Sequence, residues 1–569
     1  MIFFVYFICG VIADIIWSPI KSISRDAFTK WRLATSSFNT TNITHELIFA
    51  IQQNNIDTLE SILLDVSNPR SLHYGRYLSF HEVGELIKNE FSTNLVYDWL
   101  NKHGAFCERT VYGEYVTCSA NVTVWNHLLD ANFQFYECEE LTLLRSPSVS
   151  IPINLRKHIF TIFHASEFPG SKFFSTPYHH EFDENYCDKN PCTTPSVLNR
   201  VYNITSNDGR NFGNQSVFET SGQYMSPADL ELFQKTFDVP LHKVDQNIGG
   251  NSDDDTCKFL GFECGEANLD IQTIMAIAQG VHTTFWSTPK TTTFANWITQ
   301  VSNMAYPPLV HSVSYGDLES NTDNDLIQAF TNEVIKLGTR GVSVVVSSGD
   351  DGVANVKTRQ SSGLCGYTPQ WPASCPFVTT VGATQGPEES KPEVACSSSN
   401  NNTFITSGGG FSEHFFAPDY QKDSVSRFLA NSKSNLGPGF NKQGRGYPDV
   451  SLIGHLYPTF VGGGQQVKDG TSASTPVMAA ILALVNAKRL TIGKSSVGFA
   501  NPALYSFAND SSIFHDITEG QNNCCAGGWP GSTVVCCSEN GFRATPGWDA
   551  VTGLGSINVG NLVDKWMKL

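Results

Sequence analysis

The sequence predicts an α/β fold built on a mostly parallel sheet, and three observations carry that prediction. From about residue 195, short β-branched runs such as Gly341-Val342-Ser343-Val344-Val345-Val346 and Pro376-Phe377-Val378-Thr379-Thr380-Val381 alternate with helical stretches. In the helical stretch after Gly265, Ile271, Ile274, Met275 and Ala278 recur at helical spacing, with Gly280 as a stop. Hydrophobic residues make up 40% of the chain and charged residues 16%, enough apolar material for a packed core and too little charge for disorder. The 569 residues suggest about three domains or two large ones. The net charge of −17 excludes a nucleic-acid binder, whose affinity comes from Lys and Arg on phosphates.

The apolar start, residues 1–13, reads as a signal peptide cleaved near Asp14; it lacks a basic flank, and a buried N-terminal strand is the competing reading. No later run reaches the length of a membrane span, so no membrane association is expected once the leader is gone. Residues 14–185 form a distinct zone holding nine of the fifteen histidines. Residues 165–195 have Pro, Ser, Gly and the His179-His180 pair without periodicity, the pattern of an exposed linker. The Ser/Asn-rich stretch near 388–405 reads as a surface loop.

Removing Cys9 with the leader leaves an even fourteen cysteines, and seven Asn-x-Ser/Thr triplets stand at Asn39, Asn42, Asn121, Asn203, Asn214, Asn401 and Asn509. Together these favour the secretory pathway and disulfides. Cys524-Cys525 and Cys536-Cys537 lack the C-x₂-C spacing that grips zinc, so they read as disulfide partners, with the pairing open.

Three constellations could carry chemistry. Gly470-Thr471-Ser472-Ala473-Ser474-Thr475-Pro476 precedes an apolar helix, and proline is tolerated in a first turn, so the helix should begin close to Ser472. A serine there is either an N-cap or a nucleophile whose oxyanion the helix dipole stabilises. Glu266 and Asp270 lie one helical turn apart on one face, as acids favoured by a helix N-terminus or as a working carboxylate pair. Ser347-Ser348-Gly349-Asp350 follows an apolar strand, which places Asp350 at a carboxyl end, in a turn or at a ligand site.

Taken in order, Glu266-x-x-x-Asp270, Ser348-Gly349-Asp350 and Gly470-Thr471-Ser472-Ala473-Ser474 resemble the sedolisin family of serine-carboxyl peptidases, most closely its tripeptidyl peptidase I-like branch. His311–Gly316, Ser407–Ser412, Arg445–Val450 and, in the first zone, Asn68–Arg70 through Tyr74–Ser79 extend the resemblance over nearly the whole chain. It implies a subtilisin-like catalytic domain over 186–569 with flanking helices, preceded by an α+β pro-domain over 14–185 that inhibits it intramolecularly. It also implies Ser472 as nucleophile, Glu266 as general base, Asp270 as its tuning partner and Asp350 as proton donor to the oxyanion. One structural Ca²⁺ is implied at the carboxylates of Asp516 and Asp549 and the carbonyls of Ile517, Thr545 and Gly547, an oxygen set that suits the ion.

These roles imply an acid-active peptidase made as a zymogen, acting on peptides or unfolded proteins. Glu as base suits a low working pH, and Asp350 donates only while protonated. Release of N-terminal tripeptides is the leading activity; internal cleavage, or an inactive peptidase-like binding protein, are the alternatives. The setting is a lysosome or acidic vacuole, or the extracellular medium. A Ser-His-Asp enzyme would need a histidine base, and none of the six histidines after residue 195 lies in a His-Gly context. Two acids depart from the family pattern: Asp469 replaces a Ser and Asp351 a small residue, and both are expected to raise neighbouring carboxyl pKa values or alter substrate choice. Clustered histidines in the first zone are expected to charge on acidification, loosen the pro-domain and start autocleavage within 165–195.

Overall fold

The computed structural model describes residues 16–22, 31–35, 42–138, 141–168, 186–210, 212–400, 403–432, 436–527 and 534–569. The expected leader at 1–13 and, within 165–195, residues 169–185 with His179 and His180 lie outside them. Among the described residues, no helix is long and apolar enough to cross a membrane. The chain divides into two compact units, Met1–Asn55 with Gly84–Phe168, and Ile56–Val83 with Pro169–Leu569.

The first unit is α+β. Its four-stranded antiparallel sheet has the spatial order Phe106–Arg109, Tyr115–Asn121, Thr44–Ile51, Ile159–Phe163. Leu47, Phe49 and Ile51 alternate inward with the period of a strand and share a core with Val116, Cys118, Trp125 and Ile162. Helices Glu90–Lys102 and Val122–Leu128 pack on the sheet, capped by the Asn89 and Asn121 side chains. Cys107 and Cys118 stand opposite each other on neighbouring strands and are bonded. His45 lies within this sheet, and its burial pushes its pKa down to about 4; burial lowers His158 and His164 as well.

The second unit begins with helix α1 (Ile56–Ser67) and the turn after it. Here the Tyr77 hydroxyl donates to the Val497 carbonyl and the Leu78 N–H to the Thr339 carbonyl. The main elements then follow as β1 (Asn214–Glu219), α2 (Pro227–Thr236), β2 (Gln246–Ile248), α3 (Gly265–Ile277), β3 (His282–Ser287), β4 (Val310–Val313) and α4 (Asn324–Thr339). After these come β5 (Ser343–Ser347), β6 (Thr379–Gln385), β7 (Val394–Ala395), β8 (Val450–Ile453), the hairpin of β9 (Tyr457–Val461) and β10 (Gly464–Lys468), and α5 (Thr471–Thr491). One eight-stranded sheet runs β2-β3-β1-β4-β5-β6-β7, with β8 also paired to β6. Every pairing is parallel except β6 with β7.

Every residue of β4, β5 and β8 is buried, as expected for parallel strands covered on both faces. Phe218 stands beside Val313, Val313 beside Val346, and Val346 beside Thr380, so the carboxyl ends of β1, β4, β5 and β6 line up. Helix α5 lies against β4, β5, β6 and α3 and is buried from Thr471 to Ala487, which explains why no charge occurs in it before Lys488. Pro476 sits in its second turn, later than the sequence suggests. Without an N–H, Pro476 leaves the Ser472 carbonyl outside the helical ladder, and that carbonyl accepts from the Ser314 hydroxyl at 3.4 Å.

Two loop expectations need correction. Residues 186–195 are structured: Tyr186–Lys189 is helical, Cys187 is bonded to Cys192, and Thr193 is held by the His455 and Leu456 carbonyls. Within 388–405, Cys396, Ser397, Thr403 and Ile405 are buried, because β7 adds antiparallel to the end of β6 and draws the chain inward. The cysteines pair further as Cys257–Cys264, Cys365–Cys537 and Cys524–Cys536, while Cys138, Cys375, Cys396 and Cys525 are thiols.

Candidate active site

The site gathers where the aligned strand ends meet the N-termini of α3 and α5, the place where open α/β sheets bind ligands. Ser472 is the second residue of α5, 2% exposed, and its hydroxyl donates to the Ser314 carbonyl at 3.3 Å, just past β4. Asp350 arrives from β5 through Gly349, whose φ of +102° is left-handed. A Cβ there would lie 2.1 Å from Gln370 Oε1, so glycine is required by both conformation and space. One Asp350 carboxylate oxygen accepts from both the N–H and the hydroxyl of Thr471, each at 2.8 Å, fixing the acid one residue before Ser472. Burial nevertheless pushes Asp350 up to about 7; the Thr471 donors oppose this and the charge of Asp351 adds to it.

Glu266 and Asp270 occupy α3, in which all thirteen residues are buried, so this helix is enclosed rather than amphipathic. Its first N–H groups are met from outside: Gln223 Oε1 accepts from Glu266 N at 3.0 Å. The structure brings a further acid into the group, Glu219, at the carboxyl end of β1. Tyr315 donates its hydroxyl to Glu219 at 2.5 Å, while among the described residues no hydrogen bond reaches either Asp270 oxygen. Burial pushes both Asp270 and Glu219 well above the ordinary carboxyl range, with the charge of Glu266 adding to each. Glu219 carries the same signal in sequence as Asp350, an acid closing an apolar strand, but it lies in no motif.

Of the two departing acids, Asp351 adds its charge to the upward shift of Asp350, while Asp469 is engaged by His455. Its carboxylate turns away along the β9 side, bonding the buried His455 ring at 2.8 Å and accepting from Leu456 N and Phe404 N. Asp351 forms a two-point ion pair with Arg359 at 2.6 and 2.7 Å and accepts from Ala526 N. The Arg445–Val450 string is architectural: buried Arg445 pairs with Asp449 at 2.6 Å, and Asp449 accepts from Thr380 N.

Near the C-terminus, Asp549 is fully buried and accepts from Thr545 N, Val551 N and Thr552 N, while exposed Asp516 accepts from Gly547 N at 2.9 Å. Ile517 follows directly, with its side chain buried. Burial pushes Asp549 up to about 7, and no ion pair reaches either acid among the described residues. Two carboxylates on one loop pair, with no cation paired to either, are oxygen donors of the kind a hard divalent cation takes.

Comparison with known proteins decides the family. Residues 30–168 match the model "Pro-kumamolisin, activation domain" and residues 276–497 the "Subtilase family". The chain is 32% identical to human tripeptidyl-peptidase 1 over 536 residues and 33% identical to the rat protein over 534, covering 90% of each chain in both comparisons. The chain belongs to the tripeptidyl-peptidase 1 branch of the sedolisin family. A Pseudomonas sedolisin structure shares the fold, with a TM-score of 0.51, 23% identity, and coverage of 66% of this chain and 97% of that one. The sedolisin-family chain is therefore a serine-carboxyl peptidase made as a zymogen, with a pro-domain ahead of a subtilisin-like peptidase domain.

Proposed function

We propose that this enzyme works in acid, with Ser472 as nucleophile, Glu266 as general base, Asp270 as the group that orients Glu266, and Asp350 as donor to the oxyanion. The observation that carries this reading is Asp350, held beside Ser472 by Thr471 and kept protonated up to about pH 7 by burial. The Ser472 hydroxyl oxygen attacks the scissile carbonyl carbon while Glu266 takes the hydroxyl proton. Asp350 donates to the oxygen that gains charge, aided by the positive end of α5. As the tetrahedral intermediate collapses, Glu266 returns the proton to the departing amine. Water then attacks the acyl-serine by the same route, with Glu266 again as base.

The pro-domain, taken as 14–185, acts as intramolecular inhibitor until removed, and the catalytic domain as 186–569. The substrates are peptides or unfolded proteins, and the likeness to tripeptidyl-peptidase 1 supports release of N-terminal tripeptides in a lysosome-like or extracellular acid compartment. Asp516 and Asp549, with the carbonyls of Ile517, Thr545 and Gly547, would hold a structural Ca²⁺, which neutralises the buried acid and ties two loops together. The test is mass spectrometry of products from one peptide, with free and with blocked N-terminus, at pH ~4 and ~7.5. Tripeptides from the free form in acid alone are the expected result. Internal fragments from both forms identify an endopeptidase, and turnover confined to neutral pH overturns the carboxyl mechanism.

A further inference from the structure

Strand β10 ends on a cation that the mechanism above does not use. Lys468 is 3% exposed, stands four residues before Ser472, and faces Tyr457 across the β9–β10 hairpin. Its ammonium reaches the N-terminus of α3, where a Cβ on Gly265 would lie only 2.7 Å from Nζ. Residue 265 immediately precedes Glu266, so glycine makes the room in which the ammonium sits. A helix N-terminus repels a cation, and this ammonium lies against the first residue of α3. Something must compensate this buried charge.

The surrounding ionisable groups leave one candidate. On α3 they are Glu266 and Asp270; Glu219 comes from β1 and Tyr315 from the segment after β4. Asp229 of α2 spends its oxygens on Gly462 N, Gly463 N and Asn268 Nδ2, and Asp469 is tied to His455. Burial pushes Asp270 and Glu219 toward their neutral forms, and neighbouring negative charge adds to the shift of each. Burial lowers Lys468 to about 8, opposed by the charge of Glu266, so the lysine is still cationic wherever this enzyme is proposed to act.

We propose that Lys468 is a positioning residue for catalysis: seated in the space left by Gly265, its ammonium keeps the negative charge of the three-acid cluster on Glu266 and so extends activity to lower pH. Three acids in one dry cluster cannot all ionise, and a general base works only when the charge resides on it. A cation beside Glu266 selects that carboxylate over its two partners. The inference rests on Glu266 being the base.

The experiment compares pH profiles of kcat/KM, from pH ~2.5 to ~7, for acid-matured full-length enzyme and its K468M, K468R and G265A variants. The probes are two quenched peptides with free N-termini, one neutral and one acidic at the residue before the scissile bond. In K468M the acid limb is expected to move up by about one pH unit, lowering kcat/KM near pH 3.5 about tenfold for both peptides through kcat. K468R restores the limb, and G265A, whose methyl group displaces the ammonium, shifts it in the same direction. Should K468M fail to mature, G265A carries the test, since alanine favours the helix. An unmoved limb in both variants overturns the proposal, as does a rise in KM confined to the acidic peptide, which would make Lys468 a substrate contact. E266Q separates the two layers: if it keeps wild-type kcat in acid, the assignment of Glu266 as base fails regardless of the limb.

Discussion

In the proposed mechanism, Asp350 is the residue at which protonation and chemistry are most closely joined. Its pKa of about 7 predicts that kcat of the wild-type enzyme falls as pH rises through that value. Asparagine can still accept from Thr471 and donate through its amide at any pH. D350N should therefore keep measurable turnover while losing the fall near neutrality, whereas D350A should lose about 10²–10³ in kcat. Identical pH profiles for wild type and D350N would remove Asp350 from the oxyanion. Residues of this kind were legible because motif spacing and strand ends announce them, as with Ser472, Glu266 and Asp350. Glu219 stayed hidden because its partner Tyr315 lies 96 positions away in sequence, and the register of β1 with β4 brings the two close.

Elements decide where a side chain points, and Asp469 shows how adjacency misleads. It stands three residues before Ser472, yet the chain leaves β10 so that its carboxylate reaches back fourteen positions to His455. Burial of the pair means that breaking it leaves a polar ring without its partner, a loss of about 3 kcal/mol. D469S should lower the thermal midpoint of the peptidase unit while the pH optimum stays in place. A shifted optimum at unchanged stability would return the carboxylate to the catalytic group. The alternating runs at Val342 and Val378 were readable because strand period and β-branching are local properties. The inward course of 394–405 was not, because it depends on β7 adding to the far end of β6.

At the scale of the whole molecule, individual buried groups respond to acid with opposite signs. Asp350 has a folded-state pKa near 7, above the ~4 of an unfolded carboxyl, so its share of the peptidase unit's stability falls as pH rises from ~4 to ~7, whereas buried His311, held down to about 3, loses its share as pH falls. His45 has a folded value near 4, below the ~6.5 of a free imidazole, so the first unit loses stability as pH falls across that window. The expected acid response thus lies inside a sheet as well as on any surface histidine. Hydrogen exchange of the full chain, taken from pH 7 to 4.5 and corrected for intrinsic rates, should show faster opening at Thr44–Ile51 and Tyr115–Asn121. Unchanged rates in these strands would contradict the sign given for His45. Chelation at pH 7 should lower the midpoint of the second unit, with a smaller effect at pH 4, where Asp549 is protonated; equal effects would place the cation elsewhere.

The bond between Cys365 and Cys537 closes a covalent ring 172 residues around, with Ser472 inside it and Glu266 and Asp350 outside. A protease that nicks the chain within this ring produces two polypeptides that remain one molecule, with Ser472 still tethered to Glu266 and Asp350. Such a molecule runs as an intact band until a reductant is added, and only then separates. Damage to the backbone and loss of the active site thereby become separate events.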